Sequence, residues 1–455
     1  MHVIMAGLYI HIPFCASRCI YCGFYSTTLP QLQDRYVEAV CREMLLRGER
    51  REERGESNAF MDESISSSKT LNPQSSKKDT SLSPLLSPLS SNSPTGGQEG
   101  LSTIYLGGGT PSQLSAENLR KIFLYINKVY GTDFKEAEDG SEMEITMECN
   151  PDDITPEFCE TLRTLPVNRI SMGAQTFSDS RLRFLRRRHT ADEVRTAVDR
   201  LRKIGIGNIS IDLMFGFPGE TLEEWKSDIR ECLALNVEHI SAYSLMYEEG
   251  TPLYKMLVEG KIKEIDEELS LQMYETLINM LTAAGFEHYE ISNFAKLPNK
   301  QVSSLKSISL SSLPSPLSSK AISFRSRHNS SYWHGTPYIG IGAAAHSFDT
   351  VSRRWNVADI KTYIESIERG EQPYEREVLD TDTRYNETVM TGLRTCEGVD
   401  LKYISDSFGA KYGRHLLSNA QKNISLGNLI VEDNRLRLTR KGIYTSDGIT
   451  AELFV

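Results

Sequence analysis

The stretch that decides the fold covers residues 8–22 and reads Leu-Tyr-Ile-His-Ile-Pro-Phe-Cys-Ala-Ser-Arg-Cys-Ile-Tyr-Cys. Its apolar first half predicts a strand, and Cys15, Cys19 and Cys22 follow in the order Cys-x3-Cys-x2-Cys. Three thiolates suit a cubane iron-sulfur cluster with one open iron, because a tetrahedral structural zinc site needs four ligands. His11 or a distant cysteine would supply that fourth ligand, so zinc stays open as the alternative.

Composition limits the class of protein. The 455 residues allow two domains or one domain with additions. Lys and Arg total 51 against 61 Asp and Glu, and the net charge of -10 does not suit a nucleic-acid partner. No stretch approaches the roughly 20 apolar residues of a transmembrane segment, and the start lacks a basic leader. Eight cysteines, three of them at cluster spacing, favour a reducing cytoplasm, with membrane contact only at the surface.

Two segments break the globular pattern, at about residues 50–100 and 297–327. Both are rich in Ser, Pro and Leu, and both contain the string Ser-Pro-Leu-Ser-Ser. Such low complexity does not repay the entropy of ordering. We predict two disordered insertions that carry no chemistry.

Outside these insertions, short apolar runs alternate with amphipathic helices. Helix starts are marked by Thr155 before Pro156 and by the capping boxes at Thr190 and Thr221. This alternation predicts an α/β fold, a partial (β/α)6 barrel whose site lies at the carboxyl ends of its strands. The predicted strands are Leu8–Ile12, Thr103–Leu106, Glu144–Glu148, Arg169–Met172, Asn208–Met214 and His239–Tyr243.

After about Thr381 the pattern changes to short helices and a hairpin that turns at Asp433 and Asn434. This indicates a small winged-helix-like α+β domain. The predicted organisation is a barrel over 1–296, an insertion over 297–327, a connecting segment over 328–378 and an accessory domain over 379–455.

Each barrel strand is followed by residues suited to binding. Gly107–Pro111 contains three consecutive glycines, which allow close backbone approach to a ligand or, alternatively, a tight turn. Glu148 and Gln175 follow the next two strands. Asp212 interrupts an apolar strand, and a buried carboxylate there needs either a ligand or a salt bridge. Arg187 is either the partner of Asp212 or a solvated residue at the end of a helix.

The cysteine triple, with Tyr21 inside it, resembles the radical S-adenosylmethionine (SAM) superfamily. That likeness implies a 4Fe-4S cluster on Cys15, Cys19 and Cys22, with SAM chelating the open iron and cleaved by an electron from the cluster. The motifs around Tyr9, Gly107–Pro111 and Asp212 are similar to those of the oxygen-independent coproporphyrinogen oxidase family. Position by position, the resemblance implies SAM contacts at Tyr9, Tyr21, Gly108, Gly109, Thr110, Glu148, Gln175, Arg187 and Asp212.

Two features separate groups within that family. The true oxidases carry a fourth cysteine where this chain has Phe24, and residues 328–333, His-Asn-Ser-Ser-Tyr-Trp, resemble the signature of the HemW-type haem chaperones. The resemblance implies that His328 ligates haem iron. Without it, His328 would be an ordinary hydrogen-bonded histidine in a loop; His334 and His346 are weaker candidates. Gly23 departs from this group, which commonly has aspartate there.

The expected function is therefore that of a haem chaperone, which passes haem to an acceptor such as a membrane respiratory protein. A homodimer is compatible with this role. The alternative is an oxygen-independent coproporphyrinogen III oxidase, a radical SAM decarboxylase of porphyrin biosynthesis. A third alternative is a zinc-stabilised scaffold without redox chemistry.

Overall fold

The computed structural model describes residues 6–53, 100–136, 141–298 and 323–455, and its main sheet has twelve strands. Six parallel strands lie side by side in chain order, as predicted. The prediction of an α/β partial barrel is confirmed. These strands are β1 (Ala6–Ile12), β2 (Leu101–Gly108), β3 (Glu144–Cys149), β4 (Arg169–Gln175), β5 (Asn208–Phe215) and β6 (His239–Ser244).

Helices connect these strands, and their starts follow the sequence signals. Thr155 caps the first turn after it through the amide of Phe158, and Thr190 and Thr221 each form a complete capping box. The connecting helices are α1 (Gln33–Glu53), α2 (Ala116–Tyr130), α3 (Pro156–Leu162), α4 (Asp179–Phe184), α5 (Ala191–Lys203) and α6 (Leu222–Ala234).

The sheet continues beyond β6, where α7 (Pro252–Val258) and α8 (Glu267–Ala283) lead to the antiparallel pair β7 (Phe286–Glu290) and β8 (Asn293–Lys296). This extension was not predicted, because both strands are short and carry charged residues.

The sheet also continues beyond β1. Residues 328–378 were expected to be a connection, yet they contribute four strands to this edge, with β9 parallel to β1 and three antiparallel strands outside it. The outermost strand is exposed along its whole length and so shows no alternating pattern. The elements are α9 (Arg327–Trp333), β9 (Tyr338–Ile341), β10 (His346–Phe348), β11 (Ser352–Asn356), α10 (Ile360–Glu368) and β12 (Tyr374–Val378).

The C-terminal region forms a small α+β unit with a core of its own, as predicted. Its hairpin turns at Asp433 and Asn434, which have positive φ values of 49° and 61°. Arg394 pairs with the buried Glu290 of β7 at 2.7 Å and so ties this unit to the barrel. The elements are α11 (Thr381–Leu393), β13 (Val399–Asp400), α12 (Leu401–Phe408), α13 (Ala410–Ser425), β14 (Leu429–Glu432), β15 (Arg435–Leu438), α14 (Arg440–Ile443) and α15 (Ser446–Ala451).

The two predicted insertions fall mostly on residues 54–99 and 299–322, which lie outside the described residues. One boundary needs correction. Arg325 forms ion pairs of 2.6 Å with Glu287 and 2.5 Å with Glu397, and the fully buried Ser326 caps α9. Residues 323–327 are therefore part of the fold.

Candidate functional site

A cavity of about 440 Å³ lies at the carboxyl ends of the barrel strands. Its volume falls within the range of small-molecule sites. The structure brings all of the predicted cluster and SAM residues to the wall of this one cavity, where each strand end contributes a side chain or backbone group. They are Tyr9, Cys15, Cys19, Tyr21, Cys22, Gly108, Gly109, Thr110, Glu148, Gln175, Arg187 and Asp212.

Ile20 fixes the cysteine loop between β1 and α1. Its side chain is 3% exposed and packs in a small apolar cluster that includes Leu185 and Leu253. Its amide donates to the Leu185 carbonyl at 3.2 Å, and its carbonyl accepts from the Leu253 amide at 2.9 Å. Because Ile20 is held inward, the partly exposed cysteines on either side line the cavity. This anchoring role of Ile20 was not predicted from the sequence, although an apolar residue between two cysteines indicates it.

The three cysteines fit an iron-sulfur cluster. All are free, and burial raises the pKa of the Cys15 and Cys22 thiols, so cluster binding would displace their protons. Thr110 Oγ1 lies 3.6 Å from Cys15 Sγ, and Arg187 Nη1 lies 3.6 Å from Cys19 Sγ. In the described ranges, no three His, Cys, Asp or Glu side chains lie close enough together to bind one metal ion. A cubane cluster does not require that arrangement, because each cysteine binds a different iron.

His11, the alternative fourth zinc ligand, has hydrogen bonds at both ring nitrogens. Its Nδ1 bonds to the Tyr9 hydroxyl at 3.0 Å, and its Nε2 bonds to the Tyr25 carbonyl at 3.1 Å. Burial lowers the pKa of His11 to about 4, so the ring is neutral at pH 7. The Nδ1 bond lies within β1, and the Nε2 bond joins β1 to the segment that follows the cysteines.

The protein itself requires the glycines at the end of β2. Gly108 has φ +108°, and a Cβ there would collide with the His11 ring. A Cβ on Gly109 would lie 2.8 Å from the Ile12 carbonyl oxygen and 2.7 Å from the Pro13 carbonyl carbon. The Gly109 amide also donates to Ile12 at 2.8 Å. Both glycines line the cavity, so they allow the cysteine loop to approach β2 closely while leaving backbone groups at the site.

Glu148 and Gln175 occupy neighbouring strand ends. Glu148 accepts from the Tyr105 hydroxyl at 2.8 Å and from the Gly108 amide at 2.9 Å, and burial raises its pKa. Gln175 adopts a left-handed backbone with φ 68° at a bulge between β4 and β5. Such strain in a residue other than glycine is typical of functional positions. Sequence analysis missed Tyr105, which holds the Glu148 carboxylate.

Arg187 is positioned differently from the prediction. Its Nη2 donates to Asn150 Oδ1 at 2.7 Å and to the Gly173 carbonyl at 2.6 Å, and these contacts replace the predicted pairing with Asp212. It is also not a solvated helix end, because it lines the cavity and contacts Cys19.

Asp212 has serines as its partners. Its carboxylate contacts Ser171 Oγ at 3.5 Å and is hydrogen-bonded to Ser241. Burial, together with the charge of Glu148, raises its pKa to about 7. The salt bridge considered for Asp212 is therefore replaced by hydroxyl contacts.

His328 lies on α9 rather than in a loop, and its side chain is 1% exposed. Its Nδ1 bonds to Thr103 Oγ1 and its Nε2 to the Tyr332 hydroxyl, both at 2.8 Å. The ring stacks on Tyr105 with 5.0 Å between centroids, and burial lowers the pKa of His328 to about 3. Its neighbour Asn329 lines the cavity. The motif is thus beside the site, but iron ligation requires one of the two imidazole bonds to open.

The remaining residues singled out from the sequence lie nearer the surface. Phe24 is 72% exposed and lines the cavity. The carboxylate of Glu248 occupies the space that a side chain at Gly23 would fill. His334 and His346 are exposed and do not line the cavity. Within the described ranges, no helix has the length and apolar character needed to cross a membrane.

Comparisons with known proteins agree with this geometry. The model of the Radical SAM superfamily matches residues 96–232, and the model of the HemN C-terminal domain matches residues 379–445. The chain is 34% identical to "Heme chaperone HemW" of Bacillus subtilis, over 90% of this chain and 88% of that protein. It is 27% identical to the mitochondrial "Radical S-adenosyl methionine domain-containing protein 1" of Danio rerio, over 98% of this chain and 86% of that one.

Among solved structures, coproporphyrinogen III oxidase of Escherichia coli matches with a TM-score of 0.70. The match covers 99% of this chain and 90% of that one at 18% identity, and so concerns the fold alone. Superfamily membership implies a 4Fe-4S cluster and SAM. On sequence identity and coverage, the chain belongs to the HemW-type family of radical SAM proteins.

Proposed function

We propose that this protein is a haem chaperone, which binds haem, a 4Fe-4S cluster and SAM and transfers haem to an acceptor protein. The observation that carries the proposal is the 34% identity, over 90% of the chain, to a relative named as a haem chaperone. The buried His328 beside the cavity and the exposed Phe24 at its wall support it.

Cys15, Cys19 and Cys22 would hold the cluster, and a reduced cluster supplies an electron to bound SAM. In this proposal Glu148 and Asp212 accept hydrogen bonds from SAM, and Tyr9, Tyr21, Thr110 and Gln175 complete the wall. Hydrogen bonds within the chain already orient these side chains. Tyr105 donates to Glu148, and Ser171 donates to Asp212. Asn150 accepts from Arg187, which also contacts Cys19. Backbone groups of Gly108 and Gly109 remain free of side-chain bulk at the cavity.

In the proposed haem-bound state, His328 Nε2 would ligate the haem iron and would give up its bond to the Tyr332 hydroxyl. Thr103 would keep its bond to Nδ1 and so hold the imidazole in the tautomer whose Nε2 carries a lone pair. Tyr105, which stacks on the ring, also bonds to Glu148. This chain of contacts would connect haem ligation to SAM binding.

The second candidate is an oxygen-independent coproporphyrinogen III oxidase. The observation in its favour is the shared fold, with a TM-score of 0.70 to the Escherichia coli oxidase. Fold alone does not fix function. We also propose that the chain works in the cytoplasm, with an acceptor at the membrane surface and with a homodimer as one state.

The test is anaerobic reconstitution followed by haem titration and by an assay for coproporphyrinogen turnover with SAM and reductant. We expect saturable haem binding that His328→Ala weakens by about tenfold or more, and no turnover. His346→Ala is the control, because His346 is exposed and does not line the cavity. Steady formation of protoporphyrinogen would refute the chaperone proposal and support the oxidase instead.

A further inference from the structure

Arg169 is a buried cation that the predicted SAM site does not use. It begins β4, it is 1% exposed, and it lines the cavity. Arg169 lies four residues before Gly173, whose carbonyl binds Arg187 near the cysteine loop. At about 3.3 Å per residue, the backbone of Arg169 lies about 13 Å deeper in the barrel. It therefore reaches the cavity from the barrel interior.

One nitrogen of the Arg169 guanidinium group is buried without a partner. Among the residues that the structure describes, nothing is hydrogen-bonded to its Nε, and the same is true of Thr146 Oγ1 and Asn208 Oδ1. These two residues are the register partners of Arg169 on β3 and β5. Buried polar groups are normally satisfied, and a buried charge without partners costs several kcal/mol. Three adjacent strands thus present unsatisfied polar atoms around one arginine.

The surroundings compensate the charge of Arg169 only in part. Burial, and after it the charge of Arg169, lowers the pKa values of His239 and His328, so both imidazoles are neutral at pH 7. The charge of Arg169 also lowers the pKa of Asp212, but burial and the charge of Glu148 outweigh it and raise that pKa to about 7, so the carboxyl group carries only part of a charge. An anionic group in the barrel interior would therefore still be attracted to Arg169.

We infer that Arg169 is the carboxylate subsite for a second ligand in the barrel interior, below the cluster and SAM. A carboxylate accepts two hydrogen bonds from a guanidinium group. The carboxylate of SAM is not its source if that group chelates the open iron, as the family resemblance implies. Under the proposed function, which this inference extends, the carboxylate is a propionate of haem.

The test compares haem with its dimethyl ester, in which both propionates are capped, in titrations of the full-length reconstituted protein. For the wild type we expect binding of haem about 10- to 100-fold tighter than binding of the ester. In Arg169→Met the two affinities should converge, and Arg169→Lys should retain part of the preference. Arg183→Met is the control, because Arg183 is exposed and does not line the cavity.

A structural role for Arg169, satisfied by bound water, predicts a different pattern. Arg169→Met would then destabilise the apo protein and leave the ratio of haem to ester unchanged, and that result overturns the inference. Our account expects apo stability that is unchanged or higher, because an unpaired buried charge is removed. Equal binding of haem and ester by the wild type refutes this inference alone. Binding of neither form refutes the chaperone proposal and this inference together.

Discussion

Replacing Gly109 by alanine tests how closely the cysteine loop packs against β2. The new Cβ would lie 2.8 Å from the Ile12 carbonyl oxygen, 2.7 Å from the Pro13 carbonyl carbon and 2.9 Å from the Phe14 amide nitrogen. Ordinary contact begins at 3.4 Å, and all three neighbours are backbone atoms. The two segments must therefore separate by about half an ångström.

The cysteine loop is held from its other side and does not yield freely. The Thr27 amide donates to the Pro13 carbonyl at 2.6 Å, and the Cys15 amide donates to the Thr27 carbonyl at 2.9 Å. Overpacking of this kind costs about 1–3 kcal/mol. We expect the free energy of unfolding of Gly109→Ala to fall by about that amount, and its iron content to fall because Cys15 is displaced.

The assay pairs urea unfolding of the apo protein with iron and sulfide analysis after anaerobic reconstitution. Gly207→Ala is the matched control, because among the described residues other than its two chain neighbours no heavy atom lies within 4 Å of its Cβ position, and its φ is not left-handed. Its stability should stay within about 1 kcal/mol of the wild type. Wild-type stability and full iron content in Gly109→Ala would refute the packing argument.

Three further predictions follow from the site. Tyr332→Phe removes the hydroxyl that occupies His328 Nε2, so haem should bind about three- to tenfold more tightly in a titration; weaker binding would contradict the proposed exchange. Arg187→Lys keeps the charge but loses the planar guanidinium group that donates to Asn150 and Gly173. The affinity of the reconstituted protein for SAM should therefore fall by about tenfold, and an unchanged affinity would contradict this role of Arg187. Burial raises the pKa of Asp212 to about 7 from an ordinary 3.8, so the folded apo protein favours the protonated acid and loses stability as the pH rises from about 4 to about 7, between the unfolded and the folded pKa. Asp212→Asn should lose part of that decline in urea unfolding, and an identical pH slope would refute the assignment.

The barrel could be predicted from the sequence because its strands and helix starts have clear local sequence patterns. The run Asn208–Phe215 is rich in Ile, Leu, Met and Phe, and Thr190 and Thr221 mark helix starts by capping chemistry that is local in the chain. The strands that extend the sheet were missed because they are short and depend on pairing across the sheet. Tyr374–Val378, for instance, is exposed at every residue.

The candidate site was predictable as a set of residues but not as a set of contacts. Because parallel strands end at one edge, residues that follow them were expected together, and they line one cavity. Which atoms pair depends on side-chain packing between distant segments. Arg187 therefore bonds Asn150 rather than Asp212, and His328 is held by Thr103 and Tyr332.

Electron paramagnetic resonance of the reduced, anaerobically reconstituted protein, recorded before and after SAM is added, tests the central claim most directly. The account predicts about four irons and four sulfides per chain, with the signal of one cubane cluster. It also predicts that SAM changes this signal, because the iron without a cysteine gains new ligands. A protein without such a cluster, or a cluster signal that SAM leaves unchanged, would contradict the account.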